Sequence, residues 1–110
     1  MQEIKIKLQH PNVKVPTYAT DGAGSFDTYA DLPPSCISCR VTADTPTEIE
    51  TGLSFEIPEG KALLVFSRSG HGFKNGVRLA NAVGVLDSDY RGQLKVKLTA
   101  DGEGTLVVKH

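Results

Sequence analysis

Gly84-Val85-Leu86-Asp87-Ser88-Asp89-Tyr90-Arg91-Gly92-Gln93-Leu94-Lys95-Val96-Lys97-Leu98 is the stretch that sets the fold class. From Gln93 to Leu98 every second residue is apolar, the period of a strand with one wet face. Apolar residues also lead into the acidic tip, so the stretch reads as a β-hairpin entered through the mostly apolar arm Val77-Arg78-Leu79-Ala80-Asn81-Ala82-Val83. Its tip gathers two carboxylates, a hydroxyl, a phenol and a guanidinium. Such loops are commonly no more than solvated turns, so the tip by itself only nominates a site.

Working outward, the same alternation returns. Ile4, Ile6 and Leu8 alternate with Glu3, Lys5 and Lys7 in a first strand with one wet face. Pro33-Pro34 breaks the chain before a strand carrying Cys36 and Cys39. Asp44-Thr45-Pro46 turns it, Ile49, Leu53, Phe55 and Ile57 share one face of the next extended run, and Pro58-Glu59-Gly60 is a turn. Ala62-Leu63-Leu64-Val65-Phe66, short and uninterrupted, reads as a strand buried on both faces. A short helix is plausible only in Ser67 to Gly76, with Ser69 capping its start and Gly76 ending it. Asp101-Gly102-Glu103-Gly104 turns into a last strand at Thr105-Leu106-Val107-Val108. Short strands between Gly and Pro turns indicate an all-β fold, an antiparallel β-sandwich or jelly roll with at most one short helix.

At 110 residues the chain is expected to form a single domain (1–110) with one modest core. Twelve Lys and Arg against 13 Asp and Glu give a formal net charge of −1, without like-charge blocks, which disfavours nucleic acid or a membrane surface as partner. No apolar run approaches the length of a bilayer span, and the charged, alternating N-terminus is unlike a secretory signal, so a cytoplasmic location is expected. In a strand, Cys36 and Cys39 would point to opposite faces, and His10 and His71 are distant in sequence, which argues against a zinc or redox pair.

Three segments hold more functional groups than turns require. Arg68-Ser69-Gly70 offers a planar fork of donors, a hydroxyl, and a glycine that lets backbone N–H groups approach an anion, all suited to phosphate. Asp27 ends the glycine-rich loop Thr17-Tyr18-Ala19-Thr20-Asp21-Gly22-Ala23-Gly24-Ser25-Phe26-Asp27, ahead of an apparent strand start at Thr28-Tyr29-Ala30. Its carboxylate could hold Mg2+ arriving with a polyphosphate, or simply cap a turn. At the hairpin, Asp87 could orient or deprotonate a water, Tyr90 offers a flat face to a sugar, and Asn81 carries the donor and acceptor that a uracil-like base needs. The combined inventory suits water attack on a nucleoside triphosphate.

In this order the segments resemble the trimeric, all-β dUTP pyrophosphatases (dUTPases). Pro16 to Asp27 resembles the family's first motif, Arg68-Ser69-Gly70 its second, and Gly84 to Gly92 its third, a likeness covering the chain from Ile4 onward. The resemblance implies hydrolysis of dUTP to dUMP and pyrophosphate in a homotrimer whose sites are shared between subunits. Asp27 would help hold Mg2+ through water, and Arg68, Ser69 and Gly70 would contact phosphates. Asn81 and the backbone near Val85, Leu86 and Lys95 would read uracil in a pocket too tight for thymine's methyl. Tyr90 would pack under the deoxyribose, and Asp87 would activate the attacking water.

Two departures stand out. Gly24-Ser25-Phe26-Asp27 replaces the usual Ala-Gly-Leu-Asp, and the sequence ends at Leu106-Val107-Val108-Lys109-His110, where the family continues into Gly-x-Arg-x-x-Gln and a closing tail. A chain of this length is therefore expected to bind nucleotide with weak or absent turnover. The competing readings are a non-catalytic nucleotide-binding or protein-interaction module of the same fold and, further off, a dCTP deaminase.

Overall fold

The computed structural model describes Glu3 to Lys109. Within that range the order is β1 (Lys5–Leu8), β2 (Ser38–Thr42), β3 (Thr47–Glu56), β4 (Leu63–Phe66), α1 (Ser69–Asn75), β5 (Val77–Leu79), β6 (Val83–Leu86), β7 (Gln93–Ala100) and β8 (Thr105–Lys109). All pairings are antiparallel. A four-stranded sheet runs β1-β3-β7-β5, and two ribbons, β2-β8 and β4-β6, stand apart from it. The antiparallel all-β expectation therefore holds. No helix among the described residues is long and apolar enough to cross a membrane.

The long strand β3 organises the interior, because it carries apolar side chains into two separate clusters. Leu53, Phe55 and the following Ile57 pack with Val13 and Leu94, whereas Ile49 packs with Val41, Val77 and Ala100. Sequence alternation places Ile49, Leu53, Phe55 and Ile57 on one face. A register shift between Glu50 and Ser54 divides them instead. Gly52 lies inside it at φ +74°, where a Cβ would stand 2.5 Å from Cγ2 of Val13. Side chains replace the interrupted ladder: the buried Thr51 hydroxyl donates to the Leu94 carbonyl at 2.7 Å, and the Gly52 N–H donates to Gln93 Oε1 at 2.7 Å. These bonds fasten the first residues of β7 to the middle of β3.

Residues 9–37 contain no helix or strand. A strand at Thr28-Tyr29-Ala30 does not form. Asp31 N–H donates to the Glu50 carbonyl at 2.8 Å, but Pro33 and Pro34 follow at once and cannot extend a ladder. The segment is braced by His10 Nε2 against both Asp31 carboxylate oxygens, at 2.8 and 2.9 Å, and by Tyr18 edge-on to Phe26 at 5.8 Å. Strand β2 starts only at Ser38, so the opposite-face argument does not reach Cys36. That residue occupies a turn, its Sγ–H donating to the Ser38 carbonyl at 3.2 Å. Both thiols are free, and burial, then the neighbouring Cys36, push the Cys39 thiol upward and leave it poorly nucleophilic.

Three further expectations change. Strand β4 is not buried on both faces: Leu63 and Val65 turn to the core, while on the other face Leu64 is 52% and Phe66 63% exposed, with nothing among the described residues covering it. Across that ribbon Val83 and Val85 are 42% and 58% exposed, opposite Phe66 and Leu64. In α1, Arg68 occupies the N-cap position without a side-chain capping bond and Ser69 is the first helical residue, while Gly76 ends the helix in the left-handed region as expected. Lastly, the two arms of the central hairpin pair only at its base, which creates the cavity described next.

Candidate active site

β5 pairs with the end of β7, Val77 opposite Ala100 and Leu79 opposite Leu98, and the Ala80 N–H donates to the Lys97 carbonyl at 2.8 Å. Above this stem the arms part. Ala82 takes φ +65°, and the Val83 N–H donates to the Asn81 carbonyl only two residues back, at 2.7 Å. That tight turn, a γ-turn by its hydrogen bond, swings residues 83–86 away to pair with β4 instead of β7. The predicted hairpin is thus a splayed one, with its arms in different sheets.

A cavity of about 520 Å³ occupies the gap. Asn81, Gly84, Val85, Leu86, Leu94 and Lys95 are among its lining residues. Strand β6 uses one edge for β4, and β7 at Lys95 uses one edge for Glu50 of β3, so both arms turn a free backbone edge toward the cavity. The Lys95 ammonium lies 3.8 Å from Glu48 and 3.8 Å from Glu50, a solvent-exposed arrangement. The volume is ample for a ligand and roomier than one pyrimidine ring, so overall size does not exclude a methyl group.

A second, larger cavity of about 900 Å³ is lined by Asp27, Arg68 and Ser69, together with His71. The structure therefore brings the carboxylate of the first motif to the same cleft as Arg68 and Ser69 of the second. Gly70 lines neither cavity. Asp87 and Tyr90 also lie outside both, at the exposed hairpin tip. There the Tyr90 N–H donates to the Asp87 carbonyl at 3.1 Å, and Arg91 donates to the Ser88 carbonyl. The Tyr90 ring folds over Gly92, where a Cβ would stand 2.6 Å from its hydroxyl oxygen, and that hydroxyl donates to the Gln93 carbonyl at 2.8 Å. Only glycine at 92 permits this packing.

A dUTPase family model matches residues 11–110. The chain belongs to the dUTPase family. It is 40% identical to the deoxyuridine 5'-triphosphate nucleotidohydrolase of Desulfitobacterium hafniense (strain DSM 10664 / DCB-2), over 99% of this chain and 74% of that protein. It is also 40% identical to the enzyme of the same name from Pectobacterium carotovorum, over 99% and 73%. Among solved structures, the dUTPase of Staphylococcus bacteriophage 80alpha superposes with a TM-score of 0.82 at 19% identity, covering 97% of this chain and 82% of that one. A variant dUTPase of S. aureus phage phi11, described with a structural Mg(II) ion, gives 0.75 at 21% identity, covering 90% and 60%. These two likenesses establish the jelly-roll fold. Family membership brings the reaction with it, hydrolysis of dUTP to dUMP and pyrophosphate.

Several supports of this candidate site escape sequence reading. The Thr51, Gly52 and Gln93 bracket that aims β7 is one; the only local sign is a glycine interrupting a strand pattern. The Tyr90–Gly92 packing is another, and the presence of His71 in the cleft a third.

Proposed function

We propose that the splayed hairpin is the uracil reader of this dUTPase. The observation that carries the reading is the cavity between two free strand edges, lined by Asn81, Val85, Leu86 and Lys95. Uracil is a flat ring with one N–H between two carbonyls on its reading edge. Strand edges and the Asn81 amide supply donors and acceptors of the matching kinds. Exclusion of thymine's methyl then rests on local contact, since the cavity as a whole is roomy.

Arg68, Ser69 and Gly70 would hold the phosphates, the fork of Arg68 being suited to paired bonds with phosphate oxygens. Asp27 lines the same cleft, and no cluster of three or more acidic, His or Cys side chains among the described residues forms a ready-made metal cage. A lone exposed carboxylate fits Mg2+, which characteristically keeps several waters and binds through one or two carboxylates plus substrate phosphates. When bound there, the ion would neutralise phosphate charge. Asp87 would accept the proton of the attacking water, and Tyr90, held flat by Gly92 and Gln93, would offer its exposed face to the deoxyribose.

The base reader and the phosphate clamp line different cavities of one chain, which supports composite sites built from several copies. The exposed apolar face of Leu64, Phe66, Val83 and Val85 supports the same assembly, a homotrimer, by providing a surface to bury. The small-molecule substrate and near-neutral charge accord with a cytoplasmic nucleotide-pool enzyme of one domain.

The test is Asp87→Asn in a pyrophosphate-release assay, paired with binding of a non-hydrolysable imido analogue of dUTP. Turnover should fall by about 10²–10⁴-fold, the range for a lost general base, with analogue affinity kept within about threefold. A fully active variant would remove Asp87 from the mechanism.

A further inference from the structure

We infer that His71 is an additional phosphate-binding side chain of the cleft, donating a hydrogen bond to the β- or γ-phosphate of the bound triphosphate. The inference rests on the reading of Arg68 and Ser69 as the phosphate clamp. His71 lies three residues after Arg68, and the Gly72 N–H donates to the Arg68 carbonyl at 3.0 Å, closing a helical turn. Residues three apart in such a turn lie on the same side, about 5–6 Å between Cβ atoms. Arg68, Ser69 and His71 accordingly line one cleft, while Phe73, on the same helix, is 91% exposed.

The two described histidines with known surroundings differ in what their rings do. Nε2 of His10 faces the Asp31 carboxylate and its Nδ1 accepts from the Asn12 N–H, so both nitrogens have structural partners. The half-buried His71 ring has no hydrogen-bond partner among the described residues. An imidazole always carries at least one N–H, and its desolvation is offset when an acceptor enters the cleft.

The charges in the cleft leave room for such a donor. Arg78, which also lines it, is committed to the Asp101 carboxylate through Nε and Nη2 at 3.0 and 3.2 Å, and to the Leu79 carbonyl through Nη1. Asp27 lines the same cleft with a negative charge. Lys109 adds one ammonium to the lining, Arg68 is the main guanidinium available to three phosphate groups, and His71 is the adjacent donor on the same turn as Arg68.

The experiment compares His71→Leu, His71→Gln and Arg68→Ala with the unsubstituted protein. Affinity is measured by calorimetry for the imido analogue of dUTP and for dUMP. His71→Leu should weaken the analogue about tenfold, the size of one hydrogen bond to a charged group, and change dUMP less than twofold. His71→Gln, which keeps an N–H donor, should recover part of the loss. Equal weakening of both ligands would assign His71 to packing, and no weakening of either would also overturn the inference. Loss of triphosphate preference in Arg68→Ala alone would leave the clamp standing without His71, whereas its retention in Arg68→Ala would remove the clamp itself.

A measurement on the unsubstituted protein guards against variants that fail to fold. The His71 ring nitrogen resonances should move on saturation with the analogue and with inorganic tripolyphosphate, but not with dUMP. Unmoved ring resonances at saturation would refute the assignment.

Discussion

Gly52→Ala should be among the most damaging single-methyl changes in the chain, and its cost can be worked from two sources. The residue sits at φ +74°, where an L side chain costs about 1–2 kcal/mol. The new methyl would also stand 2.5 Å from Val13 Cγ2 and 2.9 Å from Asp31 Oδ2. Val13 is buried in the core and Asp31 is held by His10, so neither can simply swing aside. Overpacking of that kind costs about 1–3 kcal/mol. The sum, about 2–5 kcal/mol, is a large part of the roughly 5–15 kcal/mol that a domain of this class possesses. At about 4 °C per kcal/mol for a chain of this length, the melting temperature should fall by about 8–20 °C.

Urea unfolding followed by circular dichroism reads this directly. The matching control is Gly22→Ala, since nothing lies within 4 Å of the Cβ that change would add and Gly22 has no positive φ; it should stay within about 0.5 kcal/mol of the parent. A Gly52→Ala protein as stable as that control would refute both the strain and the packing argument. Because the Gly52 N–H and the Thr51 hydroxyl hold the start of β7, the same variant should also bind dUMP more weakly when still folded.

Two other perturbations separate the parts of the site. Gly92→Ala must displace the Tyr90 ring and break its bond to the Gln93 carbonyl; it should cost no more than about 1.5 kcal/mol of stability while narrowing the preference for deoxyribose over ribose nucleotides, measured by competition binding. Phe66→Glu places a charge on the exposed face of the β4-β6 ribbon; sedimentation velocity should then show a monomer where the parent sediments as the proposed homotrimer, with far-UV circular dichroism unchanged.

Much of the fold is legible in the sequence because it rests on short-range chemistry. Alternation marks β1 and β7, Pro58-Glu59-Gly60 and Asp101 to Gly104 mark turns, and Gly76 marks the helix end. The misread features depend on what lies across the chain. Leu64 and Phe66 look like interior residues because apolar residues on an exposed face and those in a core strand draw on the same alphabet. The division of Ile49 from Leu53 and Phe55 follows from one glycine at positive φ, which shifts register without altering the apolar pattern. Alternation likewise cannot tell a paired hairpin from a splayed one. That difference is made by the turn at Asn81-Ala82-Val83, and it creates the cavity in which the base is proposed to bind. The candidate residues of that cavity and of the cleft lined by Asp27, Arg68 and Ser69 are visible as motifs, whereas their separation into two cavities is visible only in three dimensions.

The most direct test of base reading by the splayed hairpin is a titration of 15N-labelled protein with dUMP, followed by amide resonances, with TMP as the comparison. The account predicts the largest shifts at Asn81, Gly84, Val85, Leu86 and Lys95 with dUMP, and much smaller ones with TMP at equal concentration. Shifts confined to residues outside that cavity, or equal responses to the two nucleotides, would contradict it.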